Sequence, residues 1–508
     1  MNNLPKGSLR KHALPMTLIL TLVVGLGAFA AAQAPTGTLN VGLRADPESM
    51  DPHFVYHPSG FAVMEALYDG LVIADWDGKI VPHLASSWEV LNDTTLEFVL
   101  RPDVKFHNGE AFDADSVKFS IERVLNEDLQ SGLRSRFKSI ESVEVVEPHR
   151  VRLHLTHPNS SIVWNLTALA MLPPDYGQRL TPAGFARAPV GTGPFSFVEW
   201  VRDDHVTVAA NPDYFAGGIK GQPGVANVVF RILPEDATRT AELRAGGVQL
   251  IEKLPVDLVE TVEAAGMAAI PADSGRFSVA WITADVEGPL ADKRVRQALN
   301  YAIDKDAIIA SVYHGYALPL ADLFTAKTFG YDASIPAYGY DPVLAKQLIA
   351  DAGYPDGFSV TIDTTGDPTE GLLVSAALEE IGIENTVRQL EPSIFNTNWT
   401  TRETSEIYAA SWGAAGDPQQ YLDMLVKSDG FLSRYKNPQL DELLAKSAVT
   451  LDVDARRPIL GEIQEILHDD PAAIYLWSTA DIYGVSPSVI GWRPHSTERL
   501  IISGVSLK

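Results

Sequence analysis

The sequence predicts a mixed α/β protein that folds into more than one lobe. Strand-like and helix-like segments alternate along the chain after its first thirty residues, as in proteins that pack helices against a sheet. The 508 residues are too many for one simple core. Apolar residues make up 46% of the chain and charged residues 21%, which is typical of a globular protein and excludes a disordered or fibrous one.

The spacing of apolar residues identifies several elements. Alternation over residues 96–100 predicts a half-buried strand, and the pattern resumes in a hairpin region before Asn108-Gly109. Asp113 is expected to cap a helix whose buried face carries Val117, Ile121, Val124 and Leu125.

A second amphipathic helix is predicted to begin near Asp292, with Val295 and Leu299 on its buried face. Its basic residues are expected to face solvent: Lys293, Arg294 and Arg296. Similar spacing predicts helices at 341–352, 438–447 and 455–468, and strands at 358–362 and 473–477.

Residues 1–32 are expected to be a cleavable signal peptide. Three basic residues among the first eleven precede an apolar run over residues 16–32, which ends in small residues. The run is shorter than the roughly 20 residues that a spanning helix needs. The protein is therefore predicted to be exported.

The chain contains no cysteine, which excludes disulfides, thiolate metal sites and a lipid-modified cysteine anchor. An outer membrane would then be the simple means of retention, so the predicted location is the periplasm. The formal net charge is −25, and removing three positive charges with residues 1–32 makes it −28. Such a surface repels phosphate backbones, so no nucleic-acid partner is expected.

The usual catalytic motifs for acyl transfer, zinc hydrolysis and nucleotide binding are absent from the sequence. Gly191-Thr192-Gly193 predicts a turn, because Pro194 and a strand-like segment follow it instead of a helix. We expect no enzyme activity, no cofactor and no metal site. A secreted glycoside hydrolase stays a remote alternative, since sequence cannot show whether two acidic residues face each other across a sugar.

The stretch from Arg101 to Val117 closely resembles the signature of the family 5 extracellular solute-binding proteins, which include peptide-, nickel- and glutathione-binding receptors of ABC importers. Further stretches resemble this family in the right order along nearly the whole chain. They are Asp51-Pro52 with Tyr68-Asp69-Gly70-Leu71, Pro189 to Phe195, Asn211 to Phe215, Asp292 to Leu299 with Ala302-Ile303-Asp304, and Trp412 to Tyr421 with Ile474-Tyr475-Leu476.

The resemblance implies a bilobal periplasmic-binding-protein fold of type II with an extra inserted subdomain. Two crossovers, near Trp281 and Tyr475, would form its hinge. Applied to this numbering, domain I would comprise 37–75, 187–281 and 476–508, the inserted subdomain 76–186, and domain II 282–475.

The function that the resemblance implies is that of a monomeric receptor for peptides or peptide-like solutes. It would trap ligand between the lobes, and the closed form would deliver it to the permease of an ABC importer with cytoplasmic ATPases. The same receptor for a non-peptide organic ligand, a saccharide or an opine-like compound, is the alternative.

In peptide-binding members of the family, a Gly-Trp-x-x-Asp type segment lines the cleft, and its aspartate binds the α-ammonium of the peptide. The matching segment here starts at Ser411, and the aspartate position holds Ala415. Asp417 either replaces the missing carboxylate or opens a local turn. Tyr56 and His57 match the first loop that faces the cleft. The candidate ligand-binding residues are Tyr56, His57, Ser411, Trp412, Gly413, Ala415 and Asp417. Four further charged residues could reach a cleft: Glu287, Asp322, Arg388 and Arg402.

Overall fold

The computed structural model describes residues 35–55, 58–215, 217–413, 415–495, 497 and 499–508. The predicted signal peptide lies outside these residues. The described chain is a mixed α/β protein, as the sequence predicts. No helix in this part of the chain combines the length and the apolar character needed to cross a membrane.

The strands vary from two to fifteen residues in length. In chain order they are β1 Thr38–Leu43, β2 Val72–Ala74, β3 Ile80–Pro82, β4 Ala85–Asn92, β5 Thr95–Leu100, β6 Ile140–Glu147, β7 Arg150–Leu155, β8 Phe195–Val201, β9 His205–Ala210, β10 Asn227–Ile232, β11 Leu250–Ile251, β12 Ala268–Ile282, β13 Ala317–Pro319, β14 Ser359–Thr365, β15 Glu384–Leu390, β16 Ile407–Gly413, β17 Ala473–Val485, β18 Val489–Ile490 and β19 Ser506–Leu507.

The helices are mostly short, and several single 3-10 turns accompany them. In chain order they are α1 Pro58–Leu67, α2 Ala114–Leu125, α3 Arg134–Phe137, α4 Ile162–Asn165, α5 Pro174–Gly177, α6 Pro182–Arg187, α7 Asp236–Ala245, α8 Val259–Ala264, α9 Lys293–Tyr301, α10 Lys305–Ser311, α11 Pro342–Asp351, α12 Thr369–Glu380, α13 Pro392–Thr401, α14 Gln419–Leu425, α15 Pro438–Val449 and α16 Val453–Asp469.

One large sheet runs through the molecule in the order β15-β14-β16-β12-β17-β11-β1-β10-β9-β8, and β13 adds to β17. The two longest strands, β12 and β17, are antiparallel neighbours near its centre. Their register shifts between Asp273, opposite Ala480, and Phe277, opposite Ser478. Trp281 and Tyr475, near which the sequence placed the crossovers, lie in buried, paired parts of these strands.

A smaller antiparallel sheet, β4-β5-β7-β6, packs against α2. Asp113 caps this helix and forms a capping box with Ser116, and Val117, Ile121 and Val124 are fully buried, which confirms the predicted face. Strand β5 pairs with β4 and β7, and the predicted hairpin region that follows it is a tight turn. The turn at 108–109 is closed by one antiparallel bridge, between residues 105 and 111. No longer hairpin forms among these residues, because the chain leaves the sheet after β5, near Pro102.

The predicted helix at Asp292 is α9, and Asp292 caps it. The prediction that Arg296 faces solvent was wrong, because this side chain is 4% exposed. Its guanidinium pairs with Asp470 and donates hydrogen bonds to the carbonyl oxygens of Leu290 at 2.7 Å and Pro471 at 2.9 Å. The charge can be buried because acceptors from the preceding turn and from the distant segment 470–471 surround it.

The apolar core is divided into separate clusters. One surrounds the small sheet, and a second lies under β1, β8, β9 and β10. Two more are formed by residues within 277–477, and a fifth packs around α7 and α8. The residue boundaries of the predicted domains stay a prediction.

His53 makes the stability of this fold depend on pH. The buried ring accepts a hydrogen bond at Nδ1 from Arg123, 2.8 Å away, and donates one from Nε2 to the carbonyl oxygen of Ala170 at 3.0 Å. Burial, with Arg123 second, lowers the pKa of His53 from its usual value to about 4. In the unfolded chain, His53 becomes protonated as the pH falls through about 6.5. In the folded protein it becomes protonated only as the pH falls to about 4.

We expect the free energy of unfolding to fall by about 3 kcal/mol through this group as the pH drops from 7 to 4. Urea unfolding at a series of pH values measures the loss. His53→Gln should reduce the pH dependence in that window. His314→Gln, which changes an exposed histidine, should leave it in place. If the free energy of unfolding depends on pH in the same way in both variants, His53 is not the source of this dependence.

Candidate functional site

Two adjoining cavities are lined mainly by residues within 52–170 and by the end of β16 with the segment that follows it. The larger has a volume of about 380 Å³ and the smaller about 180 Å³. Both are lined by Arg136, Trp164, Gly413 and Ala415, so they form one cleft. Ser274, inside the register shift of β12, lines the larger cavity.

Strand β16 ends in this cleft with one of its edges free of other strands. On one side it pairs with β12 as far as Gly413. On the other side its ladder with β14 stops at Tyr408, five residues earlier, among the described residues. Backbone groups of β16 after residue 408 are therefore placed like those at the edge of a sheet, where an extended ligand can add as a strand.

The structure brings four of the predicted site residues to the cleft. Gly413 and Ala415 line both cavities, and Trp412 and Asp417 line the smaller one. The Trp412 ring is half-buried and stands edge-on to Trp399, with their centroids 6.0 Å apart. Ser411 lines neither cavity, and its hydroxyl lies 3.0 Å from that of Ser278. Tyr56 and His57 are outside the described residues.

Asp417 has strong local partners. Both of its oxygens accept hydrogen bonds from the buried guanidinium of Arg456, one at 2.9 Å, and the Gln419 backbone N–H adds a third at 3.0 Å. The Ser161 hydroxyl, from the segment before α4, donates a fourth at 2.9 Å. The carboxylate is therefore neutralised within the protein, and its side chain is 8% exposed.

The segment over residues 160–164 rests on the loop that carries Asp417. Besides the Ser161 contact, the Ser160 backbone N–H donates to the carbonyl oxygen of Ala448 at 2.9 Å. The indole of Trp164 lies directly over Gly416, where φ is +90° and a Cβ atom would overlap the ring. Glycine at 416 thus satisfies both the left-handed backbone and the close approach of Trp164.

The floor of the larger cavity contains a buried cluster of charges. Lys220 lies 2.9 Å from a Glu65 oxygen and 3.0 Å from an Asp69 oxygen, and Arg499 also pairs with Glu65. Burial opposes ionisation of Glu65, but Arg499 and Lys220 outweigh it and lower its pKa to about 2. Asp69 likewise has a lowered pKa, since the charges of Lys220 and His83 outweigh its burial.

Segments that carry the resemblance to a known family meet at this cluster. The Asp69 carboxylate accepts hydrogen bonds from Thr192 at 3.0 Å and from Tyr214 at 3.4 Å. His107, in the signature stretch, contacts the carbonyl oxygen of Gly193 at 3.0 Å. A Cβ atom at position 193 would overlap the backbone of Leu67, so glycine is required beside Thr192.

Two arginines of the cleft were missed from the sequence, namely Arg136 and Arg499. Arg136 lies on the short helix α3, in a polar run that has no distinguishing pattern. Burial, reinforced by the like charge of Arg499, lowers the pKa of Arg136. By contrast, Arg388 and Arg402 pair with Asp363 and Asp285 and line neither cavity.

Within the described ranges, no group of three or more histidine or acidic side chains is arranged to hold a metal ion.

The family described as "Bacterial extracellular solute-binding proteins, family 5 Middle" matches residues 79–433. The chain belongs to this family. It is a solute-binding receptor of the ABC-importer type and not an enzyme, and its fold is the bilobal one of family 5. Receptors of this family bind small molecules or peptides and work with permease and ATPase subunits.

Individual relatives differ in their ligands. The chain is 30% identical over 451 residues, 84% of its length and 86% of the relative's, to a glutathione-binding protein of Pectobacterium atrosepticum. A periplasmic binding protein of Helicobacter pylori, solved with the peptide STSA, is 28% identical with a TM-score of 0.75 and covers 93% of this chain and 98% of its own. A binding protein of A. tumefaciens R10, solved with agropinic acid, is 26% identical with a TM-score of 0.74 and covers 93% and 99%.

Lys220→Met should severely destabilise this family 5 protein, because it leaves Glu65 and Asp69 as buried carboxylates with one cation fewer. The expected loss is about 3–5 kcal/mol of unfolding free energy, measured by urea denaturation. Lys118→Met, which breaks an exposed pair with Glu122, is the matched control and should cost less than about 1 kcal/mol. Similar losses in the two variants would show that the cluster does not stabilise the fold.

Gly416→Ala should separate Trp164 from the loop beneath it, because the new methyl group needs the space of the indole. Small-angle X-ray scattering should give a larger radius of gyration than for the unchanged protein. Gly315→Ala is the control, since φ there is +83° but no atom lies within 4 Å of the added Cβ. Its effect should be confined to the backbone penalty of about 1–2 kcal/mol. Equal radii of gyration for the two variants would contradict the expected separation of Trp164 from the loop.

Proposed function

We propose that the protein is a periplasmic receptor that captures a peptide or peptide-like solute in the cleft and delivers it to the permease of an ABC importer. The observation that carries this proposal is the free edge of β16 beside the cleft. An extended backbone can pair with this edge, while side chains of the ligand enter the two cavities. The volumes of about 380 and 180 Å³ suit a solute of a few residues.

The contacts of residues 160–164 support a closing mechanism. Ser161 and Trp164 come from beside the small sheet, and they touch Asp417 and Gly416 on the far side of the cleft. We assign these contacts to the closed state. A ligand that also touches both sides then favours closure, because it binds this arrangement better than an open one.

The basic start and apolar run of residues 1–32 support export, and the similar proteins include a periplasmic one. We propose cleavage after Ala32 and action as a monomer. The domain boundaries 37–75, 187–281 and 476–508, 76–186, and 282–475 are part of the same proposal.

A non-peptide organic ligand, a saccharide or an opine-like compound, is the second candidate. Ala415 favours it, since this position offers no carboxylate to a peptide ammonium. Asp417 lies nearby, but an ammonium group would have to compete there with the two-pronged hydrogen bonds of Arg456. The solved relative with agropinic acid is a precedent for such a ligand among proteins of similar sequence.

Mass spectrometry of small molecules released by denaturing the gently purified mature protein tests the proposal. We expect one solute per protein molecule, a short peptide or peptide-like compound. Adding it back should make the receptor more compact in small-angle scattering. A released sugar or opine-like compound would establish the second candidate. Turnover of a labelled solute, or no saturable binding of any small molecule, would overturn the receptor function.

A further inference from the structure

The charges that line the larger cavity do not balance. Three cations and two anions face it, a balance of +1, although the whole chain carries −25. Lys220 pairs with both anions, Glu65 and Asp69, and Arg499 pairs with Glu65. Among the described residues, Arg136 has no hydrogen-bond acceptor or acidic partner for its guanidinium. The excess positive charge therefore resides on Arg136.

The position of Arg136 is unfavourable for a cation without a partner. The residue is only partly exposed, and the positive charge of Arg499 acts on its guanidinium. Burying a charge is costly unless an opposite charge or hydrogen-bond acceptors compensate for it. A guanidinium presents two parallel N–H donors that match the two oxygens of a carboxylate or phosphate group.

Arg136 also borders the space that a bound solute would occupy. It lines both cavities together with Trp164, Gly413 and Ala415, so it stands at their junction, near the end of β16. The position that would hold an ammonium-binding carboxylate is the uncharged Ala415. The charge available for recognition at this junction is therefore positive.

We propose that Arg136 is an oxyanion-binding subsite, so that the transported solute carries a carboxylate or phosphate group that accepts hydrogen bonds from this guanidinium in the closed cleft. This inference rests on the proposed receptor function and narrows its ligand class. The solute would be recognised chiefly through its acidic end, and a blocked or absent amino group would be tolerated beside Ala415.

Three probes of equal length test the subsite: trialanine as the free acid, trialanine amide, and an alanine tripeptide amide with phosphoserine in the third position. Their dissociation constants are measured by isothermal titration calorimetry with the solute-free mature protein. We expect at least one acidic probe to bind about thirty-fold or more tightly than trialanine amide. The free acid and the phosphoserine amide distinguish a carboxylate from a phosphate.

Arg136→Gln should abolish the preference for acidic probes over trialanine amide. Arg136→Lys keeps the charge but loses the two parallel N–H donors, and it should retain part of the preference. Lys138→Gln, an exposed change of the same charge two residues away, is the control and should keep the full preference. Because the result is a ratio of affinities within one variant, a general loss of folded protein does not imitate it. If Arg136→Gln does not fold, the reduced ratio in Arg136→Lys decides.

Solutes released from the wild type and the variants give a second readout. An acidic solute that is recovered from the wild type and Lys138→Gln but lost from Arg136→Gln supports the subsite. A neutral solute, equal affinity for the acidic and amide probes, or a preference that survives in Arg136→Gln overturns the subsite while the receptor function stands. No released solute and no bound probe would overturn the receptor function itself.

Discussion

The ion pairs of Lys220 with Glu65 and Asp69 join parts of the chain that are far apart in sequence, beneath the larger cavity. A buried lysine is tolerated only while its carboxylates are present, and each carboxylate only while its donors are present. Thr192 and Tyr214 complete the set around Asp69. This mutual dependence explains why segments that resemble the family so strongly in sequence meet at the floor of the cleft. These segments therefore stabilise the floor of the cleft.

In the large sheet, β12 and β17 connect the group β15-β14-β16 with the group β11-β1-β10-β9-β8. Their ladder is irregular between Asp273 and Phe277, and an irregularity of this kind bends a strand locally. Gly275 lies within this stretch at φ +65°, packed against Ala415. Ser274 meanwhile lines the cavity. The irregular stretch of β12 thus borders the space that a bound solute would occupy.

Local pattern was sufficient for much of the fold and for little of the site. The capped helix α2 was predictable because its apolar spacing and its cap lie within twelve residues of each other. Arg296 was misjudged because its partner Asp470 comes 174 residues later, beyond any local pattern. Ala415 was identified because a motif position is a property of sequence. Arg136 was missed because its distinguishing feature is the lack of a partner in three dimensions.

The Asp417–Arg456 pair spans the rim of the cleft as a unit of zero net charge, and the group that approaches it from the other side is the hydroxyl of Ser161. Contact between this uncharged hydroxyl and a charge-balanced pair neither binds nor releases a counter-ion from the solvent. If the cleft closes here as proposed, this contact adds little dependence on ionic strength to the motion.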